Sequence, residues 1–180
     1  MDRLVLRLLG EPAITFDGKP LRLPPARCIS LLGLLAVRRE PLTRASLAAQ
    51  ISPDDLDVDA RANLRRRLHL LQQSLPACDA TPWIEATSTH LAWNEAAHAW
   101  IDTRAFEVAV ADPRRRAEGI DWYRGDLLSG SFDECLFADR ERLRTPYVDA
   151  CFAEALALRR DSRPRDAVAY AVALPSSATR

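Results

Sequence analysis

Between Asp59 and Leu75 the chain reads D-A-R-A-N-L-R-R-R-L-H-L-L-Q-Q-S-L, and Leu64, Leu68, Leu71 and Leu75 recur at the 4-3-4 spacing of one helical face. At ~100° per residue, Ala62, Asn63, Arg66, His69 and Gln73 fall opposite those leucines, with Arg65 and Arg67 on the two flanks. This predicts a helix with an apolar back and a front of Arg, Asn, His and Gln. Upstream, Leu4 to Leu9, Ala13 to Phe16 and Pro20 to Leu23 read as three strands of a small antiparallel sheet, with Asp17-Gly18 at a tight hairpin turn. Pro24-Pro25 ends the sheet and supplies a first-turn proline for a helix from about Ala26 to Arg38. Its Ile29, Leu31, Leu32, Leu34 and Leu35 are too many for a narrow stripe, so it is expected to be the most buried helix.

A turn at Arg39-Glu40-Pro41 precedes a second helix from Thr43 to about Ile51, with Thr43 as N-cap and Leu42 and Leu47 at the staple positions. Ser52-Pro53-Asp54-Asp55 breaks it, and Asp57 or Asp59 is expected to cap the arginine-bearing helix. Two helices joined by a short polar turn, the second carrying a basic face, form the helix-turn-helix arrangement. Trp83 to Ala86 and Leu91 to Trp93 then alternate in period two, a hairpin with Thr87-Ser88-Thr89-His90 at its tip. A β-ribbon directly after such a helix is a wing, and this small polar tip can donate to phosphates.

From Ile101 the pattern turns helical. Asp102 is expected to cap a helix through Thr103, Phe106 and Val110; residues 114–128 form a second, Cys135 to Arg160 a long third and Asp166 to Leu174 a short fourth. Small residues where these helices would cross suggest tetratricopeptide-like packing, with about one and a half units present. The ending L-P-S-S-A-T-R supplies no polar cap, so the natural protein is expected to continue. The fold class expected is thus α+β: a winged helix-turn-helix in residues 1–97, then an all-α tetratricopeptide-like unit, partial, in residues 98–180.

Composition alters this picture little. The 180 residues carry no net charge, and residues 1–97 hold 12 basic against 11 acidic side chains, so any attraction for nucleic acid must come from a local patch. Every basic residue except Lys19 is arginine, the side chain suited to bidentate contacts. Arg with Asn or Gln is the pairing that reads guanine and adenine edges in a major groove. The plainer alternative is a solvated basic face on an ordinary surface helix. Cys28, Cys78, Cys135 and Cys151 are far apart and His69, His90 and His98 are scattered, so neither a zinc site nor a cofactor is expected, and the thiols fit a reducing, cytoplasmic compartment. The N-terminal M-D-R-L-V-L-R-L-L-G is neither a signal peptide nor a membrane span.

The order of hairpin, helix, T-R-A-S-L-A-A-Q, R-A-N-L-R-R-R-L-H-L-L, wing, I-D-T-R-A-F-E, Y-R-G-D-L-L-S-G-S-F and R-E-R-L-R-T-P-Y resembles the bacterial transcriptional activator domain regulators, the group that includes the Streptomyces antibiotic regulatory proteins. The most specific pieces are Tyr123 to Leu128 and Arg140 to Arg144. The resemblance implies an OmpR-type winged helix joined to a tetratricopeptide-like activator unit, and a sequence-specific transcriptional regulator, an activator. It implies that Asn63, Arg66, His69 and Gln73 face the groove of double-stranded promoter DNA. Arg61, Arg65, Arg67, Thr43, Arg44 and Arg38 would hold phosphates, and Thr87, Ser88, Thr89 and His90 would touch the adjacent minor groove or backbone. The family's leucine-arginine pair late in the recognition helix reads Leu71-Gln72 here. RNA polymerase and a second subunit are the partners implied for the helical half.

Two rival readings are weighed against this one. An enzyme would draw on Asp126, Asp133, Glu134, His98 or Cys135, but no nucleophile elbow, metal-ligand pair or phosphate loop organises them, so no enzyme is expected. A tetratricopeptide-like scaffold whose winged helix no longer binds DNA is the alternative function. Trp122 and Tyr123 are read as interhelical core rather than a ligand-stacking pair, and Arg124 as a structural ion-pair partner.

Overall fold

The structure, a computed structural model, describes residues 4–77, 81–160, 162, 163, 166–168 and 170. The chain begins with strands β1 (Leu4–Arg7), β2 (Ala13–Phe16) and β3 (Lys19–Pro20). Asp17 and Gly18 both take positive φ (48° and 78°), the conformation a two-residue hairpin requires, and it sets the register Leu4↔Phe16 through Arg7↔Ala13. The third strand is Lys19–Pro20, shorter than the expected Pro20 to Leu23, although Leu21 N still donates to Ile14 O at 2.8 Å.

Helix α1 (Ala26–Val37) follows, with ten of its residues buried from Cys28 to Val37. Pro25 occupies the N-cap position instead of the first turn, with extended ψ and no side-chain cap. A two-residue strand, β4 (Leu42–Thr43), leads into α2 (Arg44–Ile51), and Thr43 Oγ1 accepts from Ser46 N at 3.1 Å, the N-cap bond expected. Helix α3 (Asp57–Ser74) has Leu56 at its N-cap, so neither Asp57 nor Asp59 caps it; both lie in its first turn, near the positive end of the dipole. Strands β5 (Ile84–Ala86) and β6 (His90–Trp93) form the hairpin, and β6 also pairs with β4, giving the order β4-β6-β5.

The chain then makes a strand that the apolar pattern did not reveal. β7 (Ala99–Ile101) lies parallel to β1 in register Leu4↔Ala99 through Leu6↔Ile101, so the first sheet has four strands in the order β3-β2-β1-β7. Three residues are too few to show a period. Helix α4 (Asp102–Ala111) starts directly afterwards, with Ile101, not Asp102, at its N-cap. Asp102 instead turns back to β1: its Oδ2 accepts from Leu8 N at 2.7 Å and Leu9 N at 2.9 Å, and the residue is 2% exposed.

Helix α5 (Arg116–Trp122) ends before Tyr123, so the helix expected over 114–128 covers only its first half. The Tyr123–Leu128 segment bends back against the residues after β1 with an isolated antiparallel bridge Leu9↔Leu127: Gly10 N donates to Asp126 O, Leu128 N to Leu8 O and Ser129 N to Gly10 O. Gly10 (φ +101°) and Gly125 allow this approach, since a Cβ on Gly125 would sit 3.2 Å from Gly10 Cα. Arg140 seals the loop by donating to the carbonyls of Leu127, Leu128 and Ser131. A 3-10 turn at Glu134–Leu136 leads into α6 (Phe137–Arg160), which carries Pro146 inside it. Residues 166–168 and 170 are helical; the remainder of the fourth helix expected over 166–174 lies outside the described residues.

One buried cluster joins β1, α1, α2, α3, β5, β6 and the helices after residue 101. On the C-terminal side Tyr123 stacks on Tyr147 (centroids 4.1 Å apart) and tilts against Phe106 (5.4 Å), while its hydroxyl donates to Asp126 Oδ1. Burial and that bond push the Tyr123 pKa upward. Among the described residues no helix is long and apolar enough to cross a membrane.

Asp102 gives this fold a titratable pin. Burial raises its pKa to about 6, against the opposing bonds from Leu9 and Leu8. The folded value lies above the unfolded one of about 3.9, so protonation favours the folded state; the contribution is full below pH ~4 and is lost as pH rises through about 6. Asp102→Asn should therefore flatten the decline in unfolding free energy between those pH values. Asp102→Ala should cost about 2–4 kcal/mol by leaving two buried N–H groups unpaired. Urea titrations of the three proteins across pH 4–7.5 check both outcomes.

Candidate nucleic-acid interface

Helix α3 divides cleanly by burial. Leu64, Leu68 and Leu71 are 1%, 6% and 0% exposed and pack toward α1 and α2, with Leu75 just beyond the helix. The opposite side presents Arg61, Ala62, Arg65, Arg66, His69, Gln72 and Gln73, all exposed. Arg65 and Arg66 make no hydrogen bond or ion pair with any described residue, and Arg61 has only a 3.8 Å approach from Asp57 one turn earlier. An exposed i,i+4 pair of this kind is worth a few tenths of a kcal/mol, so Arg61 exchanges partners at little cost.

The β5–β6 hairpin borders this face. A groove between α3, the start of α2 and the β5–β6 tip is walled by Arg61, Arg65, His69, Arg44 and residues 87–90, with Leu64 and Leu68 in its floor. The tip is a tight turn in which Thr87 Oγ1 accepts from Thr89 N and His90 N, and His90 Nδ1 lies 2.9 Å from Thr89 Oγ1. Arg44 fixes the tip to α2: its backbone N donates to Thr89 O and its Nε to Thr87 O, each at 2.8 Å. Thr87, Ser88 and Thr89 are exposed and His90 half-exposed. Thr43 sits beside them, opposite His90 in the β4–β6 ladder, with its hydroxyl already engaged as the α2 cap.

Three of the expected residues lie elsewhere. Asn63 is half-buried and donates to Asp55 Oδ2 at 2.6 Å, across the turn before α3. Arg67 is half-buried on the same flank, with Nη2 3.5 Å from Ser52 Oγ. Arg38 turns inward: Nε and Nη2 reach Asp139 Oδ2 of α6 at 3.0 and 2.9 Å, and Nη1 donates to Gln50 Oε1 of α2 at 3.0 Å. Asp139 is 5% exposed and also receives Arg142 Nε at 3.6 Å. Arg38 is thus a brace between α1, α2 and α6, which its place at the end of an apolar helix did not reveal. Gln72, in the groove wall, is the position that sequence reading left out of the site; its angular place beside Arg65 and His69 on the helix was the available signal.

The charge is polarised along α3. Asp54, Asp55, Asp57 and Asp59 are all exposed around its N-terminus, and the arginines begin one turn later. The cationic patch is therefore confined to Arg61–Arg67, before the last turn of the helix, and to Arg44 beside the β5–β6 tip. Guanidinium groups so placed can pair with phosphate or with guanine O6 and N7, and Gln72 or Gln73 with adenine. No group of His, Cys, Asp or Glu able to hold a metal ion occurs among the described residues.

No protein-family model matches this chain, and no curated protein matches it. Among solved structures, the fold is similar to that of Mycobacterium tuberculosis EmbR, determined in complex with a low affinity phosphopeptide: 19% identity, a TM-score of 0.55, and coverage of 89% of this chain and 49% of that one. The present chain thus spans about half the length of EmbR, and the likeness is one of fold.

The inward position of Arg38 and the outward position of Arg66 make opposite claims on stability. Arg38→Ala leaves the Asp139 carboxylate buried without its main partner and should lower the unfolding free energy by roughly 1–3 kcal/mol. Arg66→Ala removes no contact with the described residues and should change it by less than about 0.5 kcal/mol. Urea midpoints of the two variants at pH 7 decide the point.

Proposed function

We propose that this chain is a sequence-specific DNA-binding transcriptional regulator, an activator, acting in the cytoplasm, and that it catalyses no reaction. In this reading residues 1–97 form a winged helix-turn-helix and residues 98–180 a tetratricopeptide-like unit. Helix α3 enters the major groove and the Thr87–His90 tip follows the neighbouring backbone or minor groove. Arg66, His69 and Gln73 meet base edges, with Gln72 beside them and Asn63 at the flank. Arg61, Arg65 and the Arg44 corner meet phosphates. The helical half is left to contact RNA polymerase or a second subunit, and paired subunits suit a reader whose single helix spans only a short half-site.

The observation that carries the proposal is the pair Arg65 and Arg66, exposed and with no hydrogen bond or ion pair among the described residues, beside the β5–β6 tip on a helix whose Leu64, Leu68 and Leu71 are buried in the core. A basic face that served only solubility would not need a β-ribbon fastened by Arg44 at its edge. The acidic turn before α3, and the engagement of Asn63 and Arg67 by Asp55 and Ser52, favour the second reading, a protein-interaction scaffold that has lost its DNA partner.

Fluorescence anisotropy with a promoter-length duplex between 50 and 300 mM salt separates the two. With three phosphates neutralised by Arg61, Arg65 and Arg44, log K against log salt should fall with a slope of about −2.7. Arg65→Ala should reduce that slope by about 0.9 for every duplex tested, whereas Arg66→Ala should cost about 1–3 kcal/mol of discrimination on the preferred site. Absence of binding by the wild-type chain at 50 mM salt would sink the DNA reading and leave the scaffold.

A further inference from the structure

A second cleft lies away from α3, where the outer side of the first sheet meets the end of α5. Its volume is about 350 Å³, at the small end of the range for ligand pockets. Trp100 from β7 and Trp122 from the last turn of α5 meet edge to face on one wall, with ring centroids 5.5 Å apart and planes at 82°. Both indoles are half-exposed, unlike Tyr123, which is buried in the aromatic stack. The expectation that Trp122 and Tyr123 would both be interhelical core therefore holds fully for Tyr123 and in part for Trp122, which is half-buried and packed against the same cluster. Trp122 packs on a neighbour that also faces solvent, and the Arg115 guanidinium lies 6.0 Å from its ring.

Two further arginines line the cleft. Arg7 from β1 and Arg124 from the loop after α5 are exposed, and neither makes a hydrogen bond or ion pair with a described residue, although the Arg7 charge acts on Asp102. Glu11 is the one acid at the rim, also exposed. Deeper in lies Asp102. Its Oδ2 is spent on Leu8 N and Leu9 N, while its Oδ1 is buried with the Thr103 N–H nearby and has no well-formed hydrogen bond among the described residues. A buried carboxylate oxygen without a donor is costly, and native structures rarely leave one unless something else supplies the hydrogen. Three elements thus converge on one small cleft: an aromatic wall, a rim richer in guanidinium than in carboxylate, and an acceptor in need of a donor.

We propose that this cleft binds a small planar aromatic acid bearing a hydroxyl or N–H donor. The ring packs against Trp100 and Trp122, the acid group pairs with Arg124 and Arg7, and the donor at the far end of the ring bonds to Asp102 Oδ1. A planar ring suits the wall because its edge or face can meet either indole. The acid group suits the rim because two guanidinium groups outnumber the one rim carboxylate, and Arg receives carboxylates bidentately. The donor is required because the Asp102 oxygen would otherwise stay unmatched below a neutral ring. This site makes no use of the DNA-facing residues and stands apart from the DNA proposal.

The test uses 4-hydroxybenzoate as probe, with benzoate and benzylamine as controls, on the full chain labelled with 15N at its tryptophans. Four indole N–H signals are available, from Trp83, Trp93, Trp100 and Trp122. The expected result is saturable shifting of the Trp100 and Trp122 signals by 4-hydroxybenzoate below about 10 mM, with Trp83 and Trp93 unmoved. Benzoate, which lacks the donor, should bind about tenfold more weakly, and benzylamine more weakly still. Arg124→Ala should weaken 4-hydroxybenzoate about tenfold with the indole spectrum of the free protein otherwise retained, because Arg124 is exposed and lies outside the core. The proposal is overturned if no indole shifts up to that concentration, if benzylamine binds as tightly as the acid, or if Arg124→Ala leaves the affinity unchanged.

Discussion

Helix α1 has no solvent side, and that constraint shapes everything around it. From Leu31 to Ala36 each residue is fully buried, Gly33 included. A helix apolar all round must be wrapped on every face, and here each wrapping element gives up its own apolar side to do so. Helix α3 spends Leu64, Leu68 and Leu71 on this core, and β1 spends Leu4 and Leu6. The C-terminal segment closes in at Gly33, where a Cβ would stand 2.8 Å from Leu128 Cδ1, with Leu136 beside it. The polar side of α3 faces outward because its leucine side has nowhere else to go.

Polar braces then fix how the wrapping elements sit. Arg38 joins α1 to α2 and α6 through Gln50 and Asp139. Arg104 donates to Ala36 O at the end of α1 and to the Glu95 carboxylate before β7. Asp102 holds the end of β1 against the first turn of α4. Each is a charged group with little exposure whose value lies in geometry more than in net energy, since desolvation cancels much of the attraction. Together they make the residues after position 98 part of the same packed body as α3. A partner bound to α4–α6 therefore acts on elements that also support α2.

What the sequence showed and what it hid follow from physical range. The Asp17-Gly18 hairpin, the cap at Thr43, the leucine-backed α3 and the β5–β6 ribbon were legible because each is set by residues a few positions apart. Strand β7 and the Tyr123–Leu128 loop were not, since both exist only by pairing with β1 more than 90 residues away. The same distance concealed the roles of Asp102 and Arg38. Asp102 reads locally as a helix cap, and its true partners are Leu8 and Leu9. Arg38 reads as a free cation, and its partner lies in α6. On the candidate interface, helical periodicity placed Arg66, His69 and Gln73 on the open side, where they are exposed, and Arg65 on its flank, but it could not foresee that Asp55 and Ser52 would engage Asn63 and Arg67.

The central proposal is that the open side of α3, together with the Arg44 corner and the β5–β6 tip beside it, meets duplex DNA. Arginine footprinting tests it most directly: the chain is treated with a guanidinium-selective dicarbonyl with and without a saturating duplex, and modification is read by mass spectrometry at each arginine. The account predicts protection of Arg61, Arg65 and Arg66, with Arg115 and Arg124 reacting as in the free protein. Equal modification of Arg65 and Arg66 with and without bound duplex would contradict it.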